Sequence, residues 1–186
     1  MSNPFFAIGH STRPIDEFVA LLMTAEVKLV VDVRTVPRSR TNPQFNRDAL
    51  YASLAAHGIA YEHFAALGGL RGKQPGVSPD VNAFWENARF HNYADYALSE
   101  EFRSDVEKLR ALGHATRLTV MCAESLWWRC HRRIIADYLI AAGEEVFHIL
   151  GPGHIERARL TPEARVEPEG RLTYPKDRQP MLDLRP

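Results

Sequence analysis

The segment KLVVDV, at residues 28–33, decides the fold class. It is short, rich in β-branched residues and almost continuously apolar, which is typical of a strand buried on both faces of a parallel sheet. An apolar run, FFAI at residues 5–8, precedes it, and apolar residues between Ile15 and Leu22 recur at helical spacing. The order of these segments predicts strand, helix and strand, which is the start of a parallel crossover.

The same alternation continues along the chain to about residue 150. Three more strands are predicted, at residues 59–64, 117–122 and 145–150. Between and after them, helices are predicted from Asn46 to Gly58, from Ser99 to Gly113, and from the region after Arg129 to Gly143. Residues 81–98 are rich in aromatic side chains and show no clear periodicity.

These elements predict an α/β fold with a mainly parallel, doubly wound, Rossmann-like sheet of about five strands and helices on both faces. We expect a single α/β domain over residues 1–155. Residues 156–186 are expected to form a C-terminal extension that packs on this domain or is partly extended.

Composition excludes several classes of protein. The 186-residue chain carries 23 basic and 23 acidic side chains, so it is neither a basic nucleic-acid coat nor an acidic tail. Its apolar runs are too short for a membrane helix, and its N-terminus shows no secretory signal pattern. Only Cys122 and Cys130 carry thiols, so we expect a cytoplasmic protein with reduced cysteines and no membrane partner.

The basic residues are nevertheless concentrated in three loops without acids, at residues 33–47, 63–79 and 125–136. Ligands of open parallel sheets bind beyond the carboxyl ends of the strands, where we expect the loops after the first four strands to meet. Arginine forks match phosphate groups, so these loops predict a phosphate-bearing small molecule or a nucleic acid as the ligand. The alternative is that these arginines are simply solvated.

The segment MCAESLWWRCHR, at residues 121–132, has the highest density of chemically active side chains. Glu124 could act as a general base or a nucleophile, and His131 as its acid–base partner. Cys122 and Cys130 are either thiols activated by arginines and a helix N-terminus, or small core residues.

Two adjacent tryptophans, Trp127 and Trp128, lie in the middle of the same loop. Such side chains are costly to expose, so they either stack on a base or ring of the ligand or cover the core.

Named catalytic motifs fit this loop poorly. A phosphatase loop needs five residues between cysteine and arginine, whereas six separate Cys122 from Arg129. A rhodanese-like interpretation fits the order of strand, cysteine loop and helix, but this loop is longer and carries tryptophans. Adjacent helical residues point about 100° apart, so Cys130 and His131 are not expected to share a metal ion. No Walker or GxGxxG motif is present, and neither a cofactor nor a metal is predicted.

Several of these motifs together resemble a conserved bacterial family called domain of unknown function 488. The resemblance rests on IGHST near the start, VDVR followed by Pro37-Arg38-Ser39, an LGG stretch, and CAE…CHR, and it covers roughly residues 5–155. The family has no established reaction to transfer. The resemblance implies that its hallmark positions are His10, Ser11, Asp32, Arg34, Cys122, Glu124, Cys130, His131 and Arg132.

Three functions remain open from the sequence. The first is an enzyme acting on a nucleotide or nucleic-acid moiety, in which the phosphates are held by Arg34, Arg38, Arg71, Arg129 and Arg132. In it, Glu124, His131 and one cysteine carry the chemistry, and Trp127 or Trp128 stacks on a base. The second is a thiol-based sulfurtransferase or redox enzyme. The third is a module that binds nucleotides or nucleic acid without turnover.

Overall fold

A six-stranded sheet with the strand order β3-β2-β4-β1-β5-β6 forms the centre of the computed structural model, which describes residues 3–176. The strands are β1 (Phe5–Gly9), β2 (Leu29–Asp32), β3 (Ala60–His63), β4 (Leu118–Cys122), β5 (Val146–Gly151) and β6 (His154–Arg157). The first five are parallel, and β6 pairs with β5 in the antiparallel sense. The mainly parallel α/β fold is therefore confirmed, with one strand more than expected.

Helices cover both faces of the sheet. They are α1 (Ile15–Thr24), α2 (Arg47–Ala55), α3 (Ala88–Tyr96), α4 (Glu100–Ala115) and α5 (Arg132–Ala141). The first two pack on one face through side chains such as Phe18 and Leu50, and the other three pack on the opposite face through side chains such as Phe102 and Ile134. Two separate apolar cores result, one on each side of the sheet.

Strand β2 explains why its sequence is apolar throughout. Val30 faces the core of α1 and α2, whereas Leu29 and Val31 face the core of α3, α4 and α5. Alternate residues of a strand point to opposite faces, so a strand covered on both sides needs apolar residues at every position. Asp32, at its carboxyl end, is the polar exception.

The order in which the chain adds strands to the sheet reverses between β1 and β4. After β1 the chain passes to β2 on one side, and after β4 it passes to β5 on the other, so α1 and α5 lie on opposite faces. This is the arrangement at which open parallel sheets form a crevice for ligands. Gly9 ends β1 so close to the Glu124 backbone that a Cβ atom there would collide with it.

Two expected helix boundaries differ in detail. Gly113 does not end α4, which continues to Ala115. The glycine lies inside the helix instead, where the absence of a side chain leaves room for the ring of Phe5. Asn46 does precede α2, but its side chain accepts a hydrogen bond from the backbone N–H of Ser39 instead of capping the helix. Ser99 caps α4 as expected, since its hydroxyl accepts from the N–H of Phe102.

The chain beyond residue 155 contributes to the core over its described part. Strand β6 crosses that boundary, and the short strands β7 (Arg165–Val166) and β8 (Leu172–Thr173) form a small antiparallel pair. Leu172 and Tyr174 are fully buried, and the Tyr174 hydroxyl lies 3.0 Å from a carboxylate oxygen of Asp137. The rest of the predicted extension, residues 177–186, lies outside the described residues. Within residues 3–176, no helix is long and apolar enough to cross a membrane.

Candidate functional site

A cleft of about 570 Å³ opens beyond the carboxyl ends of the sheet strands. Its lining residues come from the segments after β2 (34–38), after β3 (69–70) and after β4 (122–131), and from residues 87–90 at the start of α3. Three of the loops expected at this edge therefore do meet. His10 and Ser11, in the loop after β1, do not line the cleft; their backbone N–H groups extend the pairing with β4 instead.

Two cysteines and a histidine meet at the base of this cleft. The sulfur of Cys130 lies 3.6 Å from Nδ1 of His131, and the sulfur of Cys122 lies 4.0 Å from the same nitrogen. The two sulfur atoms and Nδ1 all lie within 4.8 Å of one another. Both cysteines are free thiols.

The backbone around residue 130 brings these groups together. Strand β4 delivers Cys122, and a short 3₁₀ turn at Trp127–Arg129 returns the chain so that Cys130 lies beside it. Cys130 is extended, with φ −118° and ψ 144°, and α5 begins only at Arg132. The premise that Cys130 and His131 diverge as neighbours on a helix is therefore wrong, because only His131 has helical dihedral angles.

A hydrogen bond fixes the orientation of the His131 ring. Its Nε2 lies 2.9 Å from the backbone oxygen of Val33, which can only accept, so Nε2 carries a proton. In the neutral ring the lone pair of Nδ1 then points toward the two sulfurs. Gly69 packs against the same ring, and a Cβ atom there would lie 2.5 Å from Nδ1.

Arg132 is buried beside the cysteines and donates a hydrogen bond to one of them. The residue is only 1% exposed, and its guanidinium donates from Nε to the sulfur of Cys130 over 3.3 Å and from Nη2 to the backbone oxygen of Glu124. Burial raises the pKa of Cys130, but the hydrogen bond with Cys122 and the charge of Arg132 outweigh it, so the net pKa lies well below the usual value. The Cys130 hydrogen bond, together with burial, raises the pKa of Cys122.

The carboxyl end of β2 carries a different, closed arrangement. Asp32 is fully buried and accepts from Arg34 Nε over 2.9 Å, from Arg34 Nη2 over 2.6 Å and from the Tyr61 hydroxyl over 2.7 Å. Arg34 also donates to the backbone oxygen of Phe45 over 2.8 Å. Most of its donors are satisfied inside the protein, which leaves Arg34 little capacity to hold a phosphate.

His10 lies beside this pair and is itself buried. Its ring stacks on Phe45 with centroids 4.1 Å apart, and its Nε2 lies 3.4 Å from Nη1 of Arg34. Burial lowers the pKa of His10 to about 4, and the charge of Arg34 acts in the same direction. The ring is therefore neutral near pH 7.

The other arginines in the loops around the cleft fall into two groups. Arg71 lies with its guanidinium carbon 3.7 Å from the centre of the Tyr96 ring and donates to two backbone oxygens, so it holds its own loop in place, as Arg132 does. Arg38 and Arg129 are exposed and line the cleft, and so does Arg89, which the sequence did not single out. Arg89 lies two residues after Asn87, the N-cap of α3, in the aromatic segment whose sequence shows no clear periodicity.

The two adjacent tryptophans have different surroundings. Trp127 stacks flat on His148, with centroids 4.6 Å apart, and does not line the cleft. Trp128 is 47% exposed and does line it. Only Trp128 is therefore placed where it could stack on a ligand.

Glu124 provides the acidic group of the cleft. Its Oε1 accepts from the backbone N–H of Leu126 over 3.1 Å, and it stays partly exposed. The cleft thus combines one carboxylate with the exposed guanidinium groups of Arg38, Arg89 and Arg129. Among the described residues, none of these three arginines forms an ion pair with a carboxylate.

Comparison with known proteins identifies the family but not the reaction. No curated protein and no solved structure matches the chain. The sequence pattern of the family described as "Domain of unknown function DUF488" matches residues 14–139, a span that includes the loops after β2, β3 and β4. With well over half of its length matched, the chain belongs to the DUF488 family.

Proposed function

We propose that this protein is an enzyme that acts on a phosphate-bearing substrate, of which a nucleotide is the type we favour. One observation carries the proposal: three exposed arginines, which have no carboxylate partner within residues 3–176, line a cleft that also holds two cysteines and a histidine. Arginines that serve structure are paired or stacked, as Arg34 and Arg71 are. Exposed arginines around a concave site instead favour an anion.

The dimensions of the site agree with a small anionic ligand. A volume of about 570 Å³ lies within the range of roughly 300–1,000 Å³ that is usual for small-molecule pockets. A second hollow of about 470 Å³ shares Val36 and Arg38 with the cleft and adds Arg40. A ligand with more than one phosphate could follow this basic path, with Trp128 as a stacking surface for its base.

Two groups of the cleft suit proton transfer near the substrate. Glu124 is held by the Leu126 N–H, which leaves its second carboxylate oxygen available as an acid or base. His131 and the thiols face the same space from the base of the cleft. Hydrolysis or transfer at a phosphoryl group is the reaction class that we propose for this set.

The binding part of the proposal is tested by calorimetric titration with ADP and with inorganic pyrophosphate at two salt concentrations. We expect Arg38→Ala and Arg129→Ala each to weaken binding about tenfold or more, since a hydrogen bond to a charged group contributes about 1.5–3 kcal/mol. Arg157→Ala removes the same charge from the far edge strand β6 and is the matched control. An affinity that changes neither with salt concentration nor in the cleft variants would contradict the proposal.

The catalytic part needs a separate measurement. Nucleoside mono-, di- and triphosphates are incubated with the protein, and the products are separated by chromatography. We expect turnover of at least one of them, and a loss of about 100-fold or more on Glu124→Gln, which is in the range of general acid–base contributions. Salt-dependent binding without turnover would instead indicate a non-catalytic nucleotide-binding module.

Thiol chemistry is the second candidate function, because the cysteine pair favours it directly. Cys130 receives a hydrogen bond from Arg132, and its lowered pKa is the property of a reactive thiolate. Sulfur transfer or redox chemistry predicts fast alkylation by iodoacetamide at about pH 6 in chelator-treated protein. Alkylation at the rate of an ordinary thiol would rule this candidate out.

A further inference from the structure

We propose that Cys122, Cys130 and His131 bind a transition-metal ion, best matched by Zn²⁺, and leave its fourth coordination position open to the cleft. This revises the expectation from sequence that the chain holds no metal. The binding site stands on its own geometry. Only the role of the ion toward a phosphate group rests on the function proposed above.

The distances between the three ligand atoms fit one tetrahedral ion. With bonds of about 2.3 Å to sulfur and 2.0–2.1 Å to nitrogen, a tetrahedral zinc separates a sulfur from a nitrogen by ~3.6 Å and two sulfurs by ~3.8 Å. The observed separations from Nδ1 are 3.6 Å for Cys130 and 4.0 Å for Cys122. All three atoms lie within 4.8 Å of one another, so they need only small adjustments to share an ion.

The histidine has the surroundings of a metal ligand. Histidines that bind metals almost always donate their other ring N–H to a carbonyl or a carboxylate, which fixes the tautomer. Here Nε2 of His131 lies 2.9 Å from the Val33 carbonyl oxygen, and Nδ1 faces both sulfurs. The ring can then present its lone pair to an ion without turning.

The ligand types and the nearby charge favour zinc. Two thiolates and one imidazole are soft and borderline ligands, a set that selects Zn²⁺ over Mg²⁺ or Ca²⁺. Two thiolates balance the charge of the ion. The buried guanidinium of Arg132 lies 3.3 Å from the Cys130 sulfur and donates to it, as outer partners of metal thiolates do.

The coordination set is incomplete on the side that faces the cleft. Within residues 3–176, no fourth ligand, whether cysteine, histidine or carboxylate, joins the group. All three members of the group line the cleft. Three protein ligands with an open position are the pattern of catalytic rather than structural zinc sites. An ion held there would polarise a phosphoryl oxygen or a water molecule within the cleft that the exposed arginines also line.

Cobalt binding tests the site without any substrate. The full-length chain, purified without a polyhistidine tag, is treated with a chelator and a phosphine reductant and titrated anaerobically with Co²⁺. We expect one equivalent to bind, with a thiolate-to-cobalt charge-transfer band in the near ultraviolet and the intense visible bands of a tetrahedral site. Zn²⁺ should displace Co²⁺ and bleach these bands.

Single substitutions assign the ligands. Cys122→Ser and His131→Gln should each weaken Zn²⁺ binding by more than ~100-fold, since changes to outer partners alone cost about 10–100-fold. Cys122 is partly exposed in the cleft, so its variant should fold, which circular dichroism checks. The exposed His57→Ala variant keeps the site and is the matched control.

Two results would overturn the proposal. One is wild-type protein that gives no tetrahedral cobalt spectrum under reducing conditions. The other is folded Cys122→Ser or His131→Gln protein that binds the ion as tightly as wild type does. Because these readings need no nucleotide, the metal site and the binding of ADP can fail independently. A confirmed zinc site would also assign the cysteines as ligands and count against thiol nucleophilic chemistry.

Discussion

Neighbouring strands β2 and β4 end in two polar clusters of opposite character. At the end of β2, Asp32 and Arg34 are buried and satisfy each other, with help from Tyr61 and a backbone carbonyl. At the end of β4, Cys122 lies with Cys130 and His131 at the base of an open cleft. The first cluster is closed by its own hydrogen bonds, whereas in the second two sulfur atoms and a ring nitrogen lie within 4.8 Å of one another beside the cleft.

This difference distinguishes a structural cluster from a candidate functional one better than residue type does. An arginine belongs to the first cluster and another, Arg132, donates to the second, and both clusters were singled out from the sequence. A buried ion pair with complete hydrogen bonding holds loops in place and offers nothing to a ligand. The second set lines the open cleft, so it is the part of the edge that we connect with the proposed function.

The largest expected effect comes from breaking the closed cluster. Asp32→Ala leaves the Arg34 charge buried without its partner, which should lower the free energy of unfolding by about 3–5 kcal/mol. Urea denaturation followed by circular dichroism measures it. The exposed Asp80→Ala variant is the control and should change stability by less than about 0.5 kcal/mol. A loss below about 1 kcal/mol for Asp32→Ala would mean that the pair is not structural.

The open cluster should respond in metal affinity and less in stability. A methyl group at Gly69 would lie 2.5 Å from Nδ1 of His131 and push the ring away from the sulfurs. Gly69→Ala should therefore weaken Zn²⁺ binding about 10–100-fold, which a competition titration with a colorimetric chelator measures. Gly72→Ala, three residues further along the same loop, meets no atom within 4 Å and should bind Zn²⁺ like wild type. Equal affinities for the two variants would show that Gly69 does not position the ring.

A buried neutral histidine also lies near each cluster, and its protonation makes a smaller, pH-dependent contribution to the free energy of unfolding. Burial lowers the pKa of His10, beside Arg34, and of His148, behind Trp127, to about 4. The unfolded chain binds these protons near pH 6.5, so the stability that neutral histidines allow is full above that pH and is lost as pH falls toward 4.

A substitution isolates one of these two histidines. His148→Gln should reduce the slope of unfolding free energy against pH, between pH 6.5 and 4, by about 1 kcal/mol per pH unit. The raised pKa of Asp137, about 6 because of burial, acts in the opposite sense and cancels in the comparison with wild type. The exposed His154→Gln is the control, and equal slopes for wild type and His148→Gln would contradict the prediction.

Much of the site could be located from the chain alone. The segments after β2 and β4 line the cleft as expected, because parallel strands place all their carboxyl ends at one edge. The roles of individual arginines could not be foreseen. Arg71 and Arg132 are bound by groups further along the chain or across a loop, and the pairing of Arg34 with nearby Asp32 depends on the burial of both side chains. Arg89 was missed because its segment lacks periodicity, although Asn87 two residues earlier is a usual helix cap.

Local sequence was sufficient for the fold class, for both faces of the sheet and for the edge that holds the candidate site, because these follow from hydrophobic periodicity and from the direction of parallel strands. It was insufficient for the coordination geometry at that edge. An extended Cys130 between a 3₁₀ turn and α5, and a His131 ring fixed by the Val33 carbonyl, depend on packing between segments about 100 residues apart. Only the folded chain places those atoms within reach of one ion.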